Sequence, residues 1–584
     1  MKQGKYGIIL RLEIQVEGEE VMNKTIEDKA KSWLSRQDLD LDIKEELTTL
    51  WAASLQGDQE AIEEISDRFY RELSFGTGGL RGKLGAGTNR MNRYSVEKTT
   101  MGLVAYIKEN CFGSSVAIGY DSRNKSLEFA GIVAEIITGA GLDAFLYDTL
   151  MPAPALSFAV RLHGCAMGIM VTASHNPAEY NGYKVYDNRG CQVSEDEANK
   201  ILALVEKQEW FASPLKCESG KLTMMGEASK NAYYDAVYGE STGIDCGTVS
   251  VAYTPLNGAG LVPVLEILKR IGVKDIHVVP EQEYPDGDFP TCPYPNPEKK
   301  AALALGLALA DKKKTDILLA TDPDSDRLGV AVLHEGDYHL PTGNQIGVLL
   351  TDYICHIRKT KATMPKNPYI VRTVVTTKMG DEICKKYGVR VVTTLTGFKY
   401  IGSIIGEEED QGREDDYIFG FEESYGYLSG TYVRDKDGVN AAMLVCEMVA
   451  YYKEQGKTLM DRLEELYKEY GYYRNHLLDF QFPGAKGMET MSTIMEDLRK
   501  NPFKEVHGHM VTGFVDYEEG VVLPPSNLVE FLMENDRGFA VRPSGTEPKL
   551  KIYIFGTGES SEDVETFLEE MSQVLSQWIE NKEV

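Results

Sequence analysis

The spacing of apolar and polar positions changes along the chain. Ile62, Ile65, Phe69 and Leu73 recur at helical intervals, so the first 75 residues read as helices, followed by the glycine-rich SFGTGGLRGKLGAG. Beyond it, short apolar runs alternate with amphipathic ones. VAIGYDSR (116–123) predicts a strand running into a polar loop, LEFAGIVAEIITGAG a helix stopped by glycine, and LDAFLYD the next strand. The same join recurs in IITGAGLDAFLYD, ILKRIGVKDIHVVPE and ICKKYGVRVVTTLTG, through Gly141, Gly272 and Gly388. A glycine just past a helix end supplies the left-handed C-cap. Three such joins, each more than 100 residues from the next, predict three related α/β domains rather than a short-period solenoid.

Junctions fall at YGESTGIDCG (238–247) and EGDYHLPTGNQ (335–345), and FPGAKGMETMS (482–492) opens a fourth domain. The expected division is 1–238, 239–340, 341–480 and 481–584. The final SSEDVETFLEEMSQVLSQWIE predicts a helix capped by Ser560. Its apolar face, Val564, Phe567, Leu568, Met571, Val574, Leu575 and Trp578, reads as packing.

Composition narrows the partners. A chain of 584 residues exceeds one hydrophobic core. Its net charge of -28 repels nucleic acid and anionic membranes, which leaves room for a small phosphorylated ligand held by local Arg and Lys. Nine cysteines without a CxxC pair suit neither a disulfide framework nor a zinc site and read as buried thiols. The apolar run Ala301–Ala310 is far short of the roughly 20 residues that span a bilayer. The N-terminal stretch carries an Arg and a Glu inside its apolar part, unlike a signal peptide, and Met22 precedes the first helical pattern. A cytoplasmic protein is expected, with no membrane and no nucleic acid among its partners.

The candidate chemistry lies in loops. In TDPDSDR (321–327), Asp322, Asp324 and Asp326 alternate between two apolar runs, DILLA and LGVAVL. Carboxylate oxygens gathered this way suit Mg²⁺. An EF-hand is excluded, because Arg327 stands at its glycine position and Leu333 at its final glutamate. In VTASHNPAEYNGYK (171–184), Ser174 lacks the GxSxG elbow, and adjacency in the chain makes His175 a poor base for it. Lys184 follows a flexible Asn181-Gly182. A hydroxyl, a metal site and Lys/Arg are the parts of phosphoryl transfer. A phosphate of about −2 on Ser174, three aspartates and one Mg²⁺ leave about −3, so Arg327, Lys184 and Arg81 are candidate counter-charges. GFEESYG (420–426) offers Glu422 and Ser424 to sugar hydroxyls. VRPSGTEPKLKIY (541–553) places Arg542, Ser544, Gly545 and Thr546 before Lys549 and Lys551, a phosphate cradle that is not a P-loop.

TASHNP, DPDSDR, GFEES and RPSGTEP, in that order, resemble the α-D-phosphohexomutase superfamily, in its phosphoglucomutase/phosphopentomutase branch. The resemblance runs from about residue 70 to near the end of the chain. It implies an α/β fold of four domains around a central cleft: three related α/β domains with mixed sheets and a smaller C-terminal α+β domain. It implies phosphoserine at Ser174, which with Asp322, Asp324 and Asp326 binds Mg²⁺. Arg81, His175, Lys184 and Arg327 match active-site positions, and Lys436 of VRDKDG matches a proton-transfer lysine. Thr396, Gly397 and Lys399 of TLTGFK match the loop facing the sugar; Glu422 and Ser424 match its hydroxyl contacts. Arg542, Ser544, Gly545 and Thr546 match the holders of the non-reacting phosphate. TPLNGAG departs from many relatives by carrying Asn257 where they have His, and the segment before Met22 has no recognised counterpart.

The implied activity is a phosphosugar mutase interconverting glucose 1-phosphate and glucose 6-phosphate, primed by glucose 1,6-bisphosphate, as a monomer or small homo-oligomer. Phosphopentomutase and glucose 1,6-bisphosphate synthase remain alternatives within the class. A metal-dependent phosphomonoesterase and a non-catalytic sugar-phosphate sensor lie outside it.

Overall fold

The computed structural model describes residues 23–76, 78–110, 113–212, 220–482, 484–521, 523–544 and 549–582, without the side chains of 484–486. The segment before Met22 and the calls on Gly545 and Thr546 fall outside these residues.

Residues 23–73 with 82–92 make one compact unit, and 74–81 with 93–582 the other. The first is helical, as its periodicity predicts: Lys24–Leu34, Leu41–Ser54 and Gln59–Phe69. Ile65 and Phe69 are fully buried there, and Trp33 meets Phe69 edge-on at 5.7 Å. Buried Arg68 and Arg90 share Glu64, with Glu46 and Asp67 completing the pairs.

The second unit carries four sheets. In the first, strands run in the order Gly79–Lys83 (of which 79–81 belong to this unit), Tyr180–Tyr186, Met167–Val171, Ser115–Tyr120, Asp143–Tyr147 and Leu222–Met225. The last four are mutually parallel, while Tyr180–Tyr186 is antiparallel to Met167–Val171. The second orders Asp337–His339, Leu328–His334, Ile317–Thr321, Ser250–Thr254 and Asp275–Val278, again parallel at one side and antiparallel at the other. The third, Arg390–Thr394, Tyr369–Thr373, Tyr417–Glu422 and Gly426–Leu428, ends in a tight antiparallel hairpin. All three are mixed, as expected. The three glycine joins recur in them: Gly141, Gly272 and Gly388 have φ of 82°, 89° and 70°.

The fourth sheet is antiparallel throughout: Tyr472–Gln481, Lys549–Gly558, Gly538–Pro543, Val529–Met533, His509–Asp516 and Glu505–Val506. Its first strand straddles the boundary expected at 480–481 and pairs along its length with Lys549–Gly558. The final helix, Ser561–Glu580, has Ser560 accepting from the Asp563 N–H and buries Val564, Phe567, Leu568, Met571 and Leu575.

Two cores result. One apolar cluster runs through the first three sheets and the helix Gly438–Lys453, which is buried on all sides, as a central helix must be. The fourth sheet closes over its own cluster with helices Gly484–Lys500 and Ser561–Glu580. The seven cysteines among the described residues are buried free thiols. No helix among the described residues is long and apolar enough to cross a membrane.

Candidate active site

The loops of interest leave the C-terminal ends of parallel strands, where open α/β sheets place their sites. Met167–Val171 runs into the Ser174 loop, Ile317–Thr321 into the aspartate loop, Arg390–Thr394 into TLTGFK and Tyr417–Glu422 into GFEES.

Ser174 has φ 52°, a left-handed conformation unusual for a residue with a side chain. A buried network imposes it. The Ser174 N–H donates to Thr172 Oγ1 (2.8 Å), whose hydroxyl donates to Asp121 Oδ2 (2.6 Å). Asp121 also accepts from Ser126 Oγ and the Arg123 N–H. The Arg123 guanidinium, fully buried, donates to the carbonyls of Ser174 (2.5 Å), Asn176, Pro177 (2.8 Å) and Tyr180 (3.1 Å), and lies 5.0 Å from the Phe289 ring centre. One side chain thus collects four carbonyls of this turn, that of Pro177 also accepting from the Tyr180 N–H at 3.0 Å.

Two sequence readings change here. Asn181 and Gly182, expected to be flexible, belong to the strand Tyr180–Tyr186, and Asn181 is fully buried. A Cβ on Gly182 would lie 2.4 Å from the Thr172 carbonyl oxygen, so glycine serves close backbone approach there. Second, His175, which adjacency made a poor base for Ser174, nonetheless has its Nδ1 3.1 Å from Ser174 Oγ. The positive φ at Ser174 folds the next side chain back. Burial, then the nearby guanidinium groups of Arg327, Arg81 and Arg123, hold His175 well below the usual imidazole range, so its ring is neutral.

Ser174 Oγ donates to Asp322 Oδ2 at 2.8 Å. The aspartate loop is a turn, with Ser325 at φ 52°, rather than extended, and it gathers its carboxylates by folding over. Asp322, Asp324 and Asp326 are at most 1% exposed and offer oxygens all within 4.8 Å of one another. Lys184 Nζ donates to Asp324 Oδ2 (2.8 Å) and Asp326 Oδ2 (3.3 Å), and Lys436 Nζ lies 3.1 Å from the latter. Burial and the two neighbouring carboxylates push Asp322 well up; at Asp324 burial is outweighed by Lys184, which pulls it down. Asp324 Oδ1 and Asp326 Oδ1 are buried with no hydrogen-bond partner. Unpaired buried carboxylate oxygens are costly unless a cation takes them. Three hard oxygen donors with two open positions fit Mg²⁺.

TPLNGAG packs behind this loop. The Ala259 N–H donates to the Pro323 carbonyl at 2.8 Å, and a Cβ on Gly258 would meet Pro323 Cα at 2.5 Å. The departing residue Asn257 donates its side-chain N–H to the Tyr284 carbonyl, so it serves the loop's own shape.

These groups open into one cavity of about 370 Å³. Ser174, His175, Lys184, Arg81, Arg327 and Lys436 line it, with Asp326 from the aspartate loop. Thr396, Gly397, Lys399, Glu422 and Ser424 line it from the third sheet, and Arg542 and Ser544 from the fourth. The Gly397 N–H donates to Glu422 Oε1 at 2.8 Å, tying two of the loops together. Burial raises Glu422 against the pull of Lys436 and Arg327; burial and Glu422 push Glu423 up to about 7. Nine lysine and arginine side chains line the cavity against six carboxylates, reversing locally the sign of a chain at -28. An anionic ligand fits that field.

Residues with no sequence signal join them. Arg123 reads in sequence as any polar residue after a strand. Asp435 accepts from Tyr186 Oη and Gln192 and lies 3.7 Å from Lys436 Nζ. Glu298 pairs with Arg327. Asp479 lines the cavity opposite Lys551 of the cradle motif in the fourth sheet, whose Arg542 lies opposite Lys551 on the next strand. Each depends on a fold-level neighbour far away in the chain.

Family models for phosphoglucomutase/phosphomannomutase match in order: alpha/beta/alpha domain I over residues 72–211, domain II over 231–336, domain III over 342–470 and the C-terminal domain over 493–574. The phosphoglucomutase of Staphylococcus haemolyticus is 33% identical over 533 residues, 88% of this chain and 94% of the relative. That of Staphylococcus aureus is 34% identical over 521 residues, 85% and 92%. Among solved structures, a putative phosphomannomutase from Thermus thermophilus superposes with a TM-score of 0.67 at 24% identity, covering 87% of this chain and 99% of its own. Parafusin, a phosphoglucomutase of Paramecium in its open form, gives 0.67 at 17%, covering 88% and 96%. These two likenesses speak for the fold. The four consecutive domain matches and the relatives above 30% identity establish that this chain belongs to the phosphoglucomutase/phosphomannomutase family, as an enzyme of phosphate transfer within a sugar phosphate.

Proposed function

We propose that the enzyme interconverts glucose 1-phosphate and glucose 6-phosphate through a phosphoserine at Ser174 and a glucose 1,6-bisphosphate that turns over in the cavity. The observation that carries this reading is the pairing of two chemistries in one cavity. Ser174 Oγ sits on the aspartate loop at one part of it, and Arg542, Ser544, Lys549 and Lys551 of the fourth sheet line another. A group-transfer residue and a separate anion cradle suit a substrate that carries one phosphate and receives a second. The catalytic residues are Ser174, His175, Lys184, Arg81, Arg327 and Lys436. Thr396, Gly397, Lys399, Glu422 and Ser424 hold the sugar, and Arg542, Ser544, Gly545 and Thr546 the distal phosphate. The reading keeps four domains, 1–238, 239–340, 341–480 and 481–584, with the strand Tyr472–Gln481 crossing the last boundary to pair in the fourth sheet.

Asp322, Asp324, Asp326 and the oxygen on Ser174 would hold Mg²⁺, which neutralises charge on a phosphoryl group. The chain's own groups do the rest. Arg81, Arg327 and Lys184 supply positive charge around the phosphoryl group on Ser174. The sugar hydroxyl attacks phosphorus as the bond to Ser174 Oγ breaks, and the hydroxyl proton passes to a neighbouring base. His175, neutral at pH 7, is available for that step. The bisphosphate then turns, its other phosphate returns to Ser174, and Arg542 with Ser544 hold whichever phosphate is idle.

The test is isomerisation of glucose 1-phosphate, ribose 1-phosphate and mannose 1-phosphate, with and without glucose 1,6-bisphosphate, on wild type and Ser174→Ala. Glucose 1-phosphate is expected to turn over fastest, with the bisphosphate required and Ser174→Ala inactive. Turnover that survives in Ser174→Ala, or steady release of inorganic phosphate instead of isomer, sinks the mechanism.

A further inference from the structure

The segment TCPYPNPE (291–298) carries no secondary structure beyond turns, yet it reaches the cavity at several points. Its seat is fixed. Gly329, on the strand that follows the aspartate loop, leaves room for Pro297: a Cβ there would lie 2.8 Å from both the Cβ and the carbonyl oxygen of Pro297. The Glu298 N–H donates to Asn296 Oδ1 at 3.0 Å, which turns the chain so that the Glu298 carboxylate points at Arg327. Four residues earlier, Tyr294 meets the His175 ring edge-on at 6.0 Å.

Arg327 shows what that carboxylate does. Its Nη1 donates to Glu298 Oε1, while its Nε is buried without a hydrogen bond, 3.9 Å from Asp326 Oδ1. The side chain is 16% exposed and lines a cavity it shares with Ser174 and His175. A guanidinium has five donors in a rigid plane, so one charge-assisted bond at Nη1 restricts where the others point. Without it the side chain is free to collapse onto Asp326 and oppose the ion that the aspartates gather.

We propose that Glu298 is a positioning residue of the mutase reaction, holding the Arg327 guanidinium toward the phosphoryl group on Ser174 and away from Asp326. The proposal rests on the phosphoserine reading above and adds a residue to it. Arg327 faces the reacting phosphoryl group, whereas the idle phosphate is held by the fourth sheet. Disorienting it therefore weakens the transition state more than substrate binding.

The experiment compares Glu298→Ala, Glu298→Gln, Arg327→Ala and the double variant Glu298→Ala/Arg327→Ala by steady-state kinetics with saturating bisphosphate. An electrostatic donor at a phosphoryl group is worth about 10²–10³ in kcat, and losing only its orientation costs about 10- to 100-fold. Glu298→Ala is expected to lower kcat by that factor with KM within about threefold. Glu298→Gln, whose amide oxygen still accepts, keeps at least about a third of wild-type kcat. The double variant is no slower than Arg327→Ala alone, since Glu298 acts through Arg327. A kcat within about twofold of wild type in Glu298→Ala, a loss confined to KM, or losses that multiply in the double variant would each overturn the proposal. If Glu298→Ala melts early, Glu298→Gln, nearly the same size, decides: a fall as deep as that of the alanine variant refutes positioning. Failure of the phosphoserine reading shows separately, as isomerisation by Ser174→Ala.

Discussion

Arg123 is the residue whose loss should do most damage without touching substrate. Arg123→Met keeps much of the volume but removes donors to the carbonyls of Ser174, Asn176, Pro177 and Tyr180, and leaves Asp121 buried beside no cation. Adding about 1.5–3 kcal/mol for each charge-assisted bond would give about 6–12 kcal/mol, which overstates the cost. The guanidinium itself pays desolvation in the native state, and freed carbonyls regain water when the loop loosens. Breaking one side of a buried pair costs about 3–5 kcal/mol, the better figure here. The damage should be local, because the strand Met167–Val171 and its neighbours keep their ladder. Hydrogen exchange resolved along the chain is the assay. Amides of residues 172–182 should lose about 10²- to 10³-fold of their protection, while those of the fourth sheet stay unchanged. Turnover should fall by about 10²-fold or more as Ser174 leaves its left-handed conformation. Unchanged protection in 172–182, with kcat within about threefold of wild type, would refute the claim that Arg123 sets this loop.

Gly258→Ala should raise the Mg²⁺ concentration needed for half-maximal turnover by about tenfold or more, because the new Cβ would lie 2.5 Å from Pro323 Cα and displace the aspartate loop. An unchanged Mg²⁺ titration would show that the loop accommodates the methyl group. Glu409 gives a pH test. The hydrogen bond from Arg161, and then Arg434, outweigh burial and pull its carboxyl down to about 2, below the ordinary 4.5. The native state therefore binds that proton more weakly than the unfolded one, so the stabilisation is complete above about pH 4.5 and lost as pH falls towards 2. Glu409 is a third exposed, and screening reduces the worth of the pair to about 1 kcal/mol. Glu409→Gln should lower the melting temperature by about 1 °C at pH 7, with the gap closing towards pH 3. A gap that stays constant with pH would refute the assignment.

The legible parts of this protein were those written locally. Helix and strand periods, the glycines at 141, 272 and 388, and the Ser560 cap each depend on a few adjacent residues, and each appears where its pattern lies. The four loops were legible too, because their polar residues crowd into short motifs at strand ends. What the sequence could not carry was conformation set from a distance. Chain adjacency argued against His175 as a base for Ser174 and said nothing of the contact at 3.1 Å, which follows from the backbone turn that the Asp121–Thr172–Arg123 network holds. Asn181-Gly182 looked flexible and is part of a strand, because the missing side chain of Gly182 lets two backbones meet.

By itself, then, the sequence determined which side chains are available and which elements present them: a serine, three aspartates and a set of lysines and arginines at the ends of alternating strands. Only the tertiary structure decided how they meet. Lys184 and Lys436, 252 residues apart in number, converge on one oxygen of Asp326. Glu298 takes Arg327 across a proline-bound turn, and Arg123 closes on four carbonyls. The reason is physical. Burial makes each unpaired charge costly, so the fold must bring distant partners together, and nothing in the local pattern of either partner specifies the other.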